Sequence, residues 1–106
     1  MPKYLFSGQY STEGLRGLQK DKASGRMRAI TTAVESVGGK VECGYFALGE
    51  DDVYGIVDCP DNITAAALGV AVSAAGLLRT RITALLTVEE IDQALAKSVH
   101  YRLPGG

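Results

Sequence analysis

Residues Tyr45 to Asp61 read Y-F-A-L-G-E-D-D-V-Y-G-I-V-D-C-P-D. Two apolar runs flank the acidic turn Gly49-Glu50-Asp51-Asp52, and the second run stops at Pro60. Glycine and aspartate tolerate the backbone angles of a tight reversal. Proline cannot continue a central strand, and Asp61 or Asn62 can cap a helix that follows. The stretch therefore specifies a β-hairpin that feeds a helix.

Upstream, Lys40 to Leu48 reads as the first arm of that hairpin. Strict alternation places Val41, Cys43, Tyr45 and Ala47 on one side and Glu42, Gly44, Phe46 and Leu48 on the other. Gly38-Gly39 before it supplies a helix stop. The helix that stops there carries Met27, Ile30, Ala33, Val34 and Val37 on one face. Lys20 to Gly25 (K-D-K-A-S-G) interrupts it. Before the interruption, Ser11 and Thr12 are N-caps, Glu13 suits the helix dipole, and Lys3 to Tyr10 alternates as a strand.

Downstream, Val53 to Asp58 is the returning strand, and Ile63 to Ala75 is a helix of small residues that ends at Gly76. Leu77 to Leu85 is a fourth strand, with Leu78, Thr80, Ile82 and Ala84 opposite Arg79, Arg81 and Thr83. Thr87-Val88-Glu89-Glu90 is a capping box that opens a helix running through Ala96. The expected domain covers residues 1–97, and residues 98–106, ending Pro104-Gly105-Gly106, form a loose tail. The order β-α-β-β-α-β plus a C-terminal helix is that of an α+β, ferredoxin-like fold, an antiparallel four-stranded sheet with helices on one face.

The uncovered sheet face is expected to hold Leu5, Phe46 and Leu48 beside Lys3, Gln9, Arg79 and Arg81. It is too apolar to stay bare and too polar for a closed core, which marks an interface. The expectation is self-association through that face, as a face-to-face dimer first and a ring-like trimer second. Composition narrows the other partners. A formal net charge of -1, with scattered Lys and Arg, offers no electrostatic drive toward nucleic acid or anionic membrane. The longest uncharged stretch, Asn62 to Leu78, is too short and too weakly apolar to span a bilayer. Met1-Pro2-Lys3 runs straight into strand-like sequence without the parts of a secretory signal, so a cytoplasmic location is expected. Cys43 and Cys59 lack close spacing and are read as reduced thiols.

Four residues are candidates for ligand binding. Asp52 ends the acidic turn and suits a general base or polar anchor, weighed against the commoner use of Asp in turn hydrogen bonds. The acidic run lacks the spacing of a calcium loop, so no metal is expected. Arg79 and Arg81 project from one face of their strand and suit a carboxylate or phosphate, an intersubunit salt bridge, or solvent. Tyr45 suits a cavity between sheet and helices, where a phenol orients an oxyanion. His100, the only histidine, lies in the tail and is read as exposed. No phosphate-binding glycine loop is present, and no cofactor is expected.

Gly38-Gly39-Lys40-Val41, Gly49-Glu50-x-Asp52-Val53, Val57-Asp58-x-Pro60-Asp61 and Gly76-x-x-Arg79-Thr80, with Ser11-Thr12-Glu13-Gly14, resemble the GYD domain family of small bacterial proteins. The resemblance covers Tyr4 to about Lys97. Where the family pattern places a Tyr between Glu50 and Asp52, this chain has Asp51. The resemblance implies a ferredoxin-like fold of the dimeric α/β-barrel type. Relatives by fold include cofactor-free monooxygenases, lactone isomerases, haem-handling enzymes and plain ligand-binding proteins, and fold alone does not choose among them. The functional expectation is a homo-oligomeric small-ligand-binding or regulatory domain. The alternatives are a cofactor-independent oxygenase or isomerase acting on a small organic substrate, and a structural assembly unit.

Overall fold

The computed structural model describes residues 1–106. Its elements run β1 (Lys3–Tyr10), α1 (Thr12–Ser36), β2 (Lys40–Phe46), β3 (Val53–Asp58), α2 (Asn62–Ala74), β4 (Leu78–Leu85) and α3 (Val88–Leu95). The strands form one antiparallel sheet in the order β2-β3-β1-β4. β3 thus lies between β1 and β2, which are joined by α1. This is the split β-α-β arrangement of a ferredoxin-like α+β fold.

Local chemistry sets the helix ends. Ser11 accepts from the Gly14 amide at 3.1 Å, Asp61 from the Thr64 amide at 2.8 Å, and Thr87 and Glu90 close a reciprocal capping box. Gly38 and Gly76, with φ of 80° and 79°, turn the chain out of α1 and α2. Asp61 is held below the usual carboxylate range by its hydrogen bonds with Thr64. Within α1 the expected interruption is a kink at Lys22, whose φ of 65° and ψ of 166° are not helical. It is the one non-glycine residue with positive φ. The kink re-aims the second half of α1 so that Ile30, Ala33 and Val34 pack toward the sheet.

Two apolar clusters hold the helices on the sheet. One joins Tyr4, Val34, Val57, Cys59, Ala65 and Leu68, and the other joins Tyr10, Val53 and Leu78. Burying each Val or Leu contributes about 1.5–3 kcal/mol. A β-carbon on Gly69 would collide with Ile82, so the missing side chain is what lets α2 approach β4 closely.

The strand faces depart from strict alternation in β2. A β-bulge falls between Val41 and Cys43, so Val41 pairs with Val57 but Cys43 pairs with Ile56. Past the bulge every side chain changes face. Phe46, expected on the uncovered face, pairs with buried Val53 and belongs to the helix side. Tyr45, expected under the helices, pairs with Tyr54 on the uncovered side and is 71% exposed. Leu48 lies beyond the strand, fully exposed in the turn.

The molecule is elongated. Its radius of gyration is 17.1 Å, against about 13 Å for a compact chain of about 100 residues. Every residue of α3 is exposed, as is the segment that follows it. No helix is long and apolar enough to cross a membrane.

Candidate functional site

Three glycines shape the helix-facing surface of the sheet. Gly44 on β2 pairs with Gly55 on β3, and Gly55 pairs with Phe6 on β1. One row further along, Gly8 pairs with Val53. A β-carbon added to Gly55 would meet only the neighbouring strand, the nearest atom being the Cys43 carbonyl oxygen at 3.3 Å. No helix atom lies within 4 Å of that position. The space that side chains would fill there is left as a cavity.

The cavity has a volume of about 70 Å³, between the sheet on one side and Met27, Ile30, Leu68 and Val72 of the helices on the other. Its exposed wall is wholly apolar. It is about half the size of an engineered apolar cavity of roughly 150 Å³ that stays dry and takes up benzene. Met27 narrows one end, because a β-carbon on Gly44 would fall 2.6 Å from its Cε and 3.0 Å from its Sδ. Methionine is unbranched and adaptable, so this wall yields more easily than one built of valine.

The polar candidates lie elsewhere. Asp52 is a clasp between turn and strand: its Oδ2 accepts from the Tyr10 amide at 2.9 Å, and its own amide donates to the Gly8 carbonyl at 2.8 Å. Its carbonyl accepts from Ala47 at 2.8 Å, closing the hairpin turn. This is the turn-bonding role weighed from the sequence. Arg79 and Arg81 do share the uncovered face, but they are not equivalent. Arg81 is bonded to Asp51, whereas Arg79 is exposed and has no carboxylate partner in the chain.

Asp51 is the polar residue that sequence reasoning passed over. It is 5% exposed, and Nη2 of Arg81 donates to its two oxygens at 2.8 and 3.0 Å. The Arg81 hydrogen bond holds the Asp51 carboxyl below the usual carboxylate range against the opposing effect of desolvation, with Ser7 and Tyr54 adding to the lowering. The same bond raises Arg81. Asp51 is thus an internal counter-ion to Arg81. An acidic turn beside a strand that presents arginine was the available signal.

The remaining titratable groups do not converge. Cys59 is fully buried, and its thiol is pushed up by burial and then by Asp58 and Asp61. Cys43 lies opposite Ile56 rather than Cys59, and both thiols are free. His100 is exposed in the tail. No cluster of three His, Cys, Asp or Glu residues has the arrangement of a metal site. The Tyr10 hydroxyl is buried without a hydrogen-bond partner.

No curated protein matches the chain. The family model described as GYD domain matches residues 4–95, from the second residue of β1 to the last residue of α3. The chain belongs to the GYD domain family.

Proposed function

We propose that this protein is a homo-oligomeric, cytoplasmic domain that binds a small neutral apolar molecule between its sheet and its helices. One observation carries the reading: an apolar cavity lies where Gly55 leaves the helix side of the sheet without a side chain, bounded by Met27 over Gly44. An apolar ligand gains roughly 25 cal/mol for each Å² it removes from water. A charged ligand would lose its hydration there without a partner. Tyr45, Arg79 and Arg81 lie on the opposite face and Asp52 is bonded to backbone, which argues against acid-base chemistry at the cavity. Self-association is supported by the uncovered face, where half-buried Leu5 and Ile56 adjoin exposed Tyr45 and Tyr54.

The test is uptake of xenon and of small hydrocarbons, followed by the NMR shift of the Met27 methyl group. Saturable shifts are expected in the native chain, and loss of them in Gly55→Val, whose side chain would occupy the cavity. Absence of any saturable shift in a folded native chain rejects the reading, as does uptake that survives in Gly55→Val.

A further inference from the structure

α3 and the residues after it carry an apolar stripe that the rest of the chain leaves uncovered. Val88, Ile91 and Leu95 recur at helical spacing on one face, 75%, 41% and 78% exposed. Val99, Tyr101 and Leu103 continue the series beyond the helix and are each about two-thirds exposed or more. An eight-residue helix is too short to hold its shape in water by propensity alone. Its capping box fixes one end, but the body of the helix needs something to pack against.

The same molecule presents a second unpartnered surface, the open sheet face described above. The area is of the right size. The six apolar residues of this stripe leave on the order of 700 Å² uncovered, close to what one partner contributes to a standard stable interface. The charges of α3 itself and of Arg79 are also of opposite sign. Arg79 on the open face lacks a carboxylate, and Glu89 and Asp92 on α3 lack a cation. Two surfaces that complement one another on a single chain close most simply by exchange about a two-fold axis.

We propose that residues 86–103 form an arm that packs onto a second copy of this chain, along the β4 side of its open sheet face, with the exchange reciprocal. This rests on the self-association proposed above and names the segment that secures it. The stripe meets the rim of the partner's sheet, and the acidic side of α3 faces Arg79 of that sheet. The chain's elongated shape is then that of a protomer drawn without its partner, with the arm reaching into space that the second copy fills.

The experiment is sedimentation equilibrium on the full-length native chain and on two variants, Ile91→Glu with Leu95→Glu, and Arg79→Glu. All three positions are exposed, and unchanged far-UV circular dichroism and urea midpoints of the dilute monomers verify that the variants fold. The native chain is expected to be a dimer. The double variant is expected to raise the dissociation constant by tenfold or more, as removal of buried anchors does, and Arg79→Glu to raise it by a smaller factor that shrinks in high salt. A native dimer whose dissociation constant is unchanged in the double variant overturns the arm and leaves self-association through the sheet standing. A native monomer at about 100 μM, where a dimer of micromolar dissociation constant would be almost fully formed, overturns both, and a trimer overturns the reciprocal two-fold exchange.

Discussion

Nη2 of Arg81 donates to both carboxylate oxygens of Asp51, at 2.8 and 3.0 Å, and so ties the β2–β3 turn to strand β4 across β1. The two ends of this pair differ. The Asp51 carboxylate is nearly buried, while the Arg81 side chain is 66% exposed. The bond therefore holds the turn in place more than it holds the arginine, and Arg79, two residues along β4, is left without a carboxylate.

Asp51→Asn is expected to lower stability at pH 7. Because the folded-state pKa of Asp51 is depressed, its contribution is complete above the unfolded value of about 3.9. The contribution is lost as pH falls through the lower folded value. Urea midpoints of native chain and variant should differ at pH 7 and at pH 5, then converge in stronger acid. Since Asp61 is also lowered in the folded state, the difference between the two proteins is the quantity to follow. A gap that stays constant into strong acid contradicts this account.

Asp52→Ala removes the acceptor for the Tyr10 amide. The expected loss is about 1.5–3 kcal/mol, the scale of a hydrogen bond to a charged group. Asp52→Asn keeps an acceptor at the same place and should recover most of it. Equal stability of the alanine variant and the native chain in urea denaturation would show that the clasp is dispensable.

Leu68 lines the cavity and is 6% exposed. Leu68→Ala should cost about 2–4 kcal/mol by lost transfer and residual void. It should also enlarge the cavity enough to admit aromatic hydrocarbons. Calorimetry with benzene checks the second part: detectable uptake is expected in the variant, and its absence would mean that the helices collapse into the space.

Tyr10→Phe deletes a buried hydroxyl that has no partner. Removing such a group is expected to be neutral or to stabilise by about 1 kcal/mol. A clear loss in the denaturation midpoint would reveal a hydrogen bond made in the assembled or hydrated protein.

Much of the local design was legible because it acts over short range. Ser11, Asp61 and the Thr87–Glu90 box announce helix starts through bonds to amides three residues away. Gly38 and Gly76 announce ends through backbone angles that a side chain disfavours. The returning strand Val53–Asp58 is where the residue pattern placed it, and the first arm begins at Lys40 as expected but ends at Phe46, short of Leu48. The reading failed for Tyr45 and Phe46, because a single extra residue at the bulge changes the face of every side chain after it. Alternation fixes which residues lie together, but not which side they take past a bulge.

The chain by itself determined the order of its elements, since caps, turns and periodicity are local properties of the sequence. Only the tertiary structure decided what meets across it. Asp51 and Arg81 are 30 residues apart, and pairing through β3, β1 and β4 makes them partners. Gly44 and Gly55 are ordinary strand glycines until register sets them side by side under α1 and α2. Met27 fills the place above Gly44, the place above Gly55 stays open, and that absence becomes a site only once packing has closed the walls around it.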